Sequence, residues 1–385
     1  MIPRTLIDQA QKLATWFPVV SVTGPRQSGK STLVRHAFPD YEYINLESEQ
    51  VRRLAQEDPV GFIRNRPAKL IIDEAQHVPE LFSEIQVVSD ANNKPGQYIL
   101  SGSQNFLLLK NITQSLAGRV GLLKLLPLSF KEALQAKPTL TADEFMFSGG
   151  FPRLYDTGLP EHLLFSNYVE TYVQRDVSDY LDVRNLASFR KFLELCALNV
   201  GNLTNYSNLA NDADISPLTA KSWLSILESS YVAFELMPYH SSARTRLTKT
   251  PKLYFYDTGL LCYLLGITSL EELLLSEHLG AVYENLIIGE TLKDYFNQTQ
   301  EPRLCFYRDA SGREIDLIDE SRPREPMLVE IKSSETYHDR FAKHLRAIGD
   351  ELGVPSERRH VVSRVADSYV SKGVPVSSAR DWLLR

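Results

Sequence analysis

Residues 18–37 read PVVSVTGPRQSGKSTLVRHA, and the order of textures in that stretch decides the fold of the first third of the chain. A short run of Val and Thr reads as a buried strand, a turn with two glycines follows, and Lys30-Ser31-Thr32 opens a run that reads as a helix. The turn matches the spacing G-x-x-x-x-G-K-[ST] without departure, from Gly24 through Pro25, Arg26, Gln27, Ser28 and Gly29 to Lys30 and Ser31. Phosphate binding is the physical reason for that spacing. Glycines let successive backbone N–H groups curl around phosphate oxygens, and the helix N-terminus adds its dipole. Residues 24–32 are therefore expected to bind ATP, with Lys30 reaching the β- and γ-phosphates and the Ser31 hydroxyl ligating Mg²⁺.

Downstream, KLIIDEA at 69–75 is an apolar strand pattern that ends in two acids. A carboxylate at a buried strand end needs a partner, and a metal or a water supplies one. Asp73 fits the group that holds Mg²⁺ through water, and Glu74 fits the base that polarises the attacking water. A further strand pattern, YEYINL, stands between the two motifs, which implies a sheet with an inserted strand between the motif strands. The next pattern, QYILSGSQN, ends in Ser101 and Ser103. These are candidates for contact with the γ-phosphate or the lytic water, and Ser-Gly-Ser is equally a good turn. Strands at 18–23, 41–46, 69–73, 97–101 and 120–126, with helices such as 30–37 and 80–91 between most of them, predict an α/β fold with a parallel sheet.

The bulk numbers are those of a folded protein of two or three domains: 385 residues, 43% hydrophobic and 23% charged. A net charge of −6 argues against a wholly basic nucleic-acid binder but leaves room for a local basic patch. Cys196, Cys262 and Cys305 are few, odd in number and far apart, which fits reduced thiols and neither a disulfide framework nor a zinc site. The N-terminus lacks a signal-peptide core, and no apolar run approaches the ~20 residues of a membrane span. The expectation is a cytoplasmic protein with no membrane partner.

From about 140 to 235 the patterns are mostly helical, with amphipathic runs at 162–181 and 188–200. Two shorter helices follow, the second opening at Ser216-Pro217, and then a strand pair, a winged-helix pattern. The segment 240–252 would be its wing and carries Arg244, Arg246, Lys249 and Lys252 with no acid. It can touch nucleic-acid phosphates while the helix at 216–229 offers Thr219, Lys221 and Ser222 to a groove. A protein-docking module with a solvated basic loop is the alternative.

The last part runs helix (279–296), three strands (RLCFYRD, REIDLIDE, MLVEIKSS), helix (339–352), strand (RRHVVSR) and a short terminal helix. Period-two alternation puts Glu330 and Lys332 on one face of their strand, Asp316 on the neighbouring strand can share it, and Glu284 in the preceding helix can project there. This is the D…E-x-K pattern of the PD-(D/E)XK nuclease fold. Asp316 and Glu330, with Glu284, would hold one or two Mg²⁺ ions, and Lys332 would orient or deprotonate the attacking water. Strand ends with E-x-K are also common on solvated sheets, where the pair does nothing but solubilise.

The motifs GPRQSGKSTL, KLIIDEAQ, YILSGSQNFLL, SLAGRVGLLKLLPLS, GGFPRL, YVQRDV, PKLYFYDTGLL and VEIKSS, in this order, resemble a large family of prokaryotic AAA-type ATPases with a C-terminal domain of unknown function. The resemblance covers nearly the whole chain. It implies an AAA-type P-loop ATPase domain over 1–135, a helical region with a winged-helix-like module over 136–260, and a restriction-endonuclease-like α/β domain over 261–385. It also implies an arginine finger at Arg119, in cis or offered to a neighbouring subunit of a homo-oligomer; a surface Arg before a strand is the bland alternative. The expected function is an ATPase coupled to a Mg²⁺-dependent nuclease acting on nucleic acid, DNA rather than RNA, in DNA processing or defence. The alternative is an ATPase switch whose C-terminal domain only binds. A helicase is set aside because nothing after residue 140 supplies a second motor domain. A nucleotide kinase is disfavoured by Glu74 beside Asp73 and by the lack of a visible lid.

Overall fold

Strand β1 (Val19–Thr23) is buried along its whole length, as are β3 (Leu70–Asp73) and β4 (Tyr98–Gly102). Continuous apolar strands of this kind belong inside a parallel sheet covered on both faces. With β2 (Glu42–Asn45) and β5 (Val120–Lys124) they form a five-stranded parallel sheet in the order β2-β3-β4-β1-β5. Alternation sorts their side chains to two cores. Val20, Val22, Ile71 and Ile99 pack with Leu33 and Val34 of the helix Lys30–Ala37 and with Leu6 and Ala10 of the helix Leu6–Leu13. Val19, Leu70, Ile72 and Leu100 pack with Leu81, Phe82 and Ile85 of the helix Glu80–Asn92. The expected inserted strand is present: β4 lies between β1 and β3, and YEYINL becomes the edge strand β2.

The computed structural model describes residues 2–103, 112, 115–172, 186–239, 250–322 and 324–385. They fall into two compact units. The first comprises Met1–Leu128, Ser229–Tyr231 and Phe296–Gln300; the second comprises Ser129–Glu228, Val232–Tyr295 and Glu301–Arg385.

The second unit begins with short helices, among them Ala142–Ser148, Glu161–Tyr172 and Leu186–Leu198. The helices Tyr206–Asp212 and Pro217–Ser229 then precede β6 (Ala233–Leu236) and β7 (Lys252–Phe255), an antiparallel pair. The expected wing lies outside the described residues up to position 249, as does the end of the helix expected to reach 181. Glu228 is half-buried beside Glu235, which takes a hydrogen bond from the Tyr206 hydroxyl at 2.8 Å. Burial, and then the charge of Glu235, push the Glu228 carboxyl up to about 7. A raised carboxyl favours the folded state at low pH, and that contribution is lost as pH rises from about 4.5 through 7. Glu228→Gln is therefore expected to stabilise the protein at pH 8 by on the order of 2–3 kcal/mol and to flatten the pH dependence of Tm. Identical melting curves for the two proteins at pH 8 contradict this.

The motifs GGFP and YDTGLL meet inside this unit. Asp257 caps the helix Thr258–Leu264 through Leu260 N–H (3.0 Å) and also accepts Gly150 N–H (2.7 Å). A Cβ on Gly259 would stand 2.2 Å from the Ser148 carbonyl oxygen. Gly259→Ala is expected to cost about 1–3 kcal/mol by overpacking, read as a lower Tm; an unchanged Tm refutes the close approach.

The remainder builds a six-stranded mixed sheet. After the helix Leu279–Asn297 come β8 (Leu304–Arg308), β9 (Glu314–Asp319) and β10 (Met327–Lys332), successively antiparallel. The helix Lys343–Leu352 then leads to β11 (Arg359–Ser363), which runs parallel to β10. A hairpin of β12 (Tyr369–Ser371) and β13 (Val374–Ser378), not expected from the sequence, completes the order β12-β13-β11-β10-β9-β8. Its turn uses Lys372 and Gly373, both at positive φ.

Candidate functional sites

The phosphate loop leaves the end of β1 at Gly24, where a Cβ would lie 2.0 Å from the Leu125 carbonyl oxygen; only glycine fits so close to backbone. Gly29 sits in the left-handed region at φ 93° and caps the helix that starts with Lys30. Lys30 is 6% exposed, and its ammonium donates to the carbonyls of Gly24 (3.0 Å) and Pro25 (2.7 Å). Arg4, a residue that sequence reading passed over, buries its guanidinium under the loop and donates to Ser28 O (2.8 Å) and Leu126 O (2.6 Å). It fastens the loop to the chain beyond β5.

The register Asn45↔Asp73 and Asp73↔Ser101 brings β2, β3 and β4 together beside this loop. Asp73 is 2% exposed and takes two hydroxyl donors, Tyr43 at 2.6 Å and Ser101 at 2.5 Å. Tyr43 also lies close to Ser31, the other residue expected at Mg²⁺. Burial, and then Asp73, hold that phenol well above its ordinary pKa, and it stays a donor. Glu74 follows in the left-handed conformation, φ 54°. Its Oε2 accepts from Gln76 Nε2 (2.5 Å), Ser103 N–H (3.2 Å) and Ser103 Oγ (3.1 Å). The two serines thus divide their work, Ser101 on Asp73 and Ser103 on Glu74. Glu47 and His77 bring ligand atoms within 4.8 Å of Glu74 at the rim.

Arg119 is placed elsewhere. It precedes β5, whose register with β1 runs from Val19↔Val120 to Thr23↔Lys124, so a strand length of about 16 Å separates it from the loop. Its guanidinium makes a bidentate pair with Asp90, at 2.5 and 2.9 Å. A finger in cis does not fit this position.

The second unit gathers the other expected set. Asp316 and Glu330 are each 7% exposed and face each other across β9 and β10. Lys332 Nζ stands between them, 2.7 Å from Glu330 Oε1 and 3.2 Å from Asp316 Oδ2, and Ile331 N–H donates to the same Asp316 oxygen at 2.7 Å. Burial alone would pull the Lys332 ammonium down, but Asp316 and Glu330 more than restore it, so it is charged. Burial, and then the charge of Asp316, push the Glu330 and Glu284 carboxyls up. Glu330 Oε2 is buried with no hydrogen-bond partner. Glu284 faces the same cluster, held by Lys252 Nζ at 3.1 Å and by the Tyr254 hydroxyl at 2.5 Å. The three carboxylates are not drawn within 4.8 Å of one another as a ready metal cage.

Of the winged-helix residues, Thr219 is committed to its own helix start, bonded to Ser216 at 2.8 Å. Lys252, expected on the wing surface, is 3% exposed, a correction forced by its two ion pairs with Glu284 and Glu314. Arg244, Arg246 and Lys249 lie outside the described residues. No described helix is long and apolar enough to cross a membrane.

Three family models match the chain. Residues 6–134 match the AAA domain family, 140–271 a domain of unknown function (DUF8612), and 279–380 another (DUF4143). The uncharacterized protein Rv2008c of Mycobacterium tuberculosis is 31% identical over 309 residues, which cover 77% of this chain and 68% of that protein. The uncharacterized protein MJ1544 of Methanocaldococcus jannaschii is 24% identical over 363 residues, covering 86% and 78%. Among solved structures, the Walker-type ATPase PABY2304 of Pyrococcus abyssi is a distant likeness, 16% identical with a TM-score of 0.46, covering 69% of this chain and 96% of that one. With a P-loop AAA ATPase domain at its N-terminus, the chain belongs to the family of Rv2008c.

Proposed function

We propose that this protein hydrolyses ATP at residues 24–32 and uses that cycle to control a Mg²⁺-dependent phosphodiesterase site in its C-terminal domain, acting on DNA in the cytoplasm. One observation supports the second half most directly: the buried Glu330 Oε2 has no partner, while Lys332 pairs with its neighbour oxygen Oε1 and with Asp316. A buried carboxylate oxygen left unpaired is costly, and a cation is the ligand whose chemistry suits it.

In the ATP site Lys30 exchanges its loop carbonyls for the β- and γ-phosphates, and Ser31 and Asp73 hold the Mg²⁺ that accompanies the nucleotide. Glu74, one oxygen secured by Gln76 and Ser103, takes the proton of the attacking water with the other. Arg119 serves in trans, completing the site of a neighbouring copy once it leaves Asp90.

In the C-terminal site, read as a restriction-endonuclease-like fold over 261–385, Asp316 and Glu330 would hold the divalent ion. When bound, that ion supplies Lewis acidity and positive charge at the phosphate. Lys332, a charged ammonium, orients the water and the phosphate rather than acting as the base. The middle region, 136–260, works as a winged helix that brings the nucleic acid to the site. The position of Lys332 between Asp316 and Glu330 also suits a second reading, in which the lysine permanently neutralises the acids and the domain only binds its partner.

Incubation of labelled single- and double-stranded DNA and RNA with the protein, Mg²⁺ or Mn²⁺, and ATP separates the two. Metal-dependent cutting of DNA supports the first reading. ATP hydrolysis with intact nucleic acid under every metal establishes the second.

A further inference from the structure

Glu284 stands in the sequence as a third metal ligand, and its surroundings give it other work. Its Oε1 accepts both the Lys252 ammonium (3.1 Å) and the Tyr254 hydroxyl (2.5 Å). These donors lie two residues apart on β7 and so share one face of that strand. Lys252 is 3% exposed and makes a second ion pair with Glu314 at 2.6 Å. A lysine this deep is held only by paired charge.

The charges can be counted. Glu314 is balanced by Arg308 at the rim, at 3.5 Å. Glu284, Asp316 and Glu330 then face Lys252 and Lys332, which leaves one negative charge. One divalent cation together with one phosphodiester brings the sum to zero. Two divalent cations would leave an excess of two positive charges in a buried site.

We propose that Lys252, presented by β7, is the fixed second cation of the carboxylate site: with Tyr254 it holds Glu284 away from the metal, so that Asp316 and Glu330 take a single divalent ion. The proposal rests on the reading above, that this site binds a divalent ion at all. It makes one site from two sequence regions, Lys252 and Tyr254 from residues 140–271 and the metal ligands from residues 279–380. Lys252 is a positioning residue, since it acts through Glu284.

The probe is Mn²⁺ added to the full-length, nucleotide-free protein and followed by electron paramagnetic resonance. Wild type is expected to bind one Mn²⁺ that is lost in Asp316→Ala. Lys252→Gln is expected to bind its Mn²⁺ at least about tenfold more tightly than wild type, because Glu284 is released to the ion and a positive charge is gone. Unchanged or weaker Mn²⁺ binding in folded Lys252→Gln overturns the proposal, as does a spin-coupled pair of ions in wild type. Should Lys252→Gln fail to fold, Tyr254→Phe decides. It keeps the lysine, removes one of the two donors on Glu284, and is expected to tighten Mn²⁺ binding about threefold; unchanged affinity overturns the proposal. A wild type with no Mn²⁺ that responds to Asp316→Ala overturns the metal reading itself.

Discussion

Glu74→Gln is expected to lower the rate of ATP hydrolysis by about 10²–10⁴-fold while leaving ATP binding within a few-fold of wild type. The amide keeps the size of the carboxylate and can still bond Ser103, but it cannot accept a proton from water. Lys30, Ser31 and Asp73, proposed to carry the phosphates and Mg²⁺, are untouched. Single-turnover hydrolysis and the affinity for a fluorescent ATP analogue separate the two quantities. Equal losses in binding and turnover would move Glu74 from the base to a structural role. Gln76 offers an internal comparison: its bond to Glu74 Oε2 at 2.5 Å fixes the acid, so Gln76→Ala should fall between wild type and Glu74→Gln.

The second large effect concerns the C-terminal set. Lys332→Ala is expected to reduce metal-dependent cleavage by at least about 10²-fold. It removes the ammonium that lies 2.7 Å from Glu330 and 3.2 Å from Asp316. The loss also leaves two buried acids facing each other, so part of any effect could come from the fold. Lys332→Met, which keeps the apolar stem, and a Tm recorded for both variants resolve this. Cleavage lost with a Tm near that of wild type marks Lys332 as part of the machinery. Cleavage retained in both variants removes it from the site.

These sites differed in how far the sequence disclosed them. The phosphate loop and the pair Asp73-Glu74 are contiguous motifs, each set by a strand end and a turn, so spacing alone carried them. Glu330 and Lys332 were legible through strand alternation, and Asp316 through the neighbouring strand. The parallel sheet followed from strands alternating with helices, and a strand inserted between the two motif strands was expected; the observed order β2-β3-β4-β1-β5 puts β4 there, not β2.

What stayed hidden depends on contacts far apart in the chain. Arg4 reaches Ser28 and Leu126 from a segment that reads only as the approach to an amphipathic helix. Tyr43 reaches Asp73 from an edge strand whose pattern is half polar. Lys252 stood last in a run of cations without an acid and looked solvated. Its true environment is set by Glu284 and Glu314, 32 and more residues away, and by the pairing of β7 with β6. Burial of a charge next to distant partners leaves no local trace, whereas a motif does. The hairpin β12–β13 had a signal in Lys372-Gly373, but its strands are short and β12 is largely exposed.

Whether ATP governs the carboxylate site is the central question for this protein. The decisive measurement is the rate of metal-dependent DNA cleavage with and without ATP, in wild type and in Lys30→Ala side by side. ATP is predicted to change the wild-type rate and to leave the Lys30→Ala rate where it was without nucleotide. The same response to ATP in both proteins, or a wild type indifferent to ATP, would contradict the coupling.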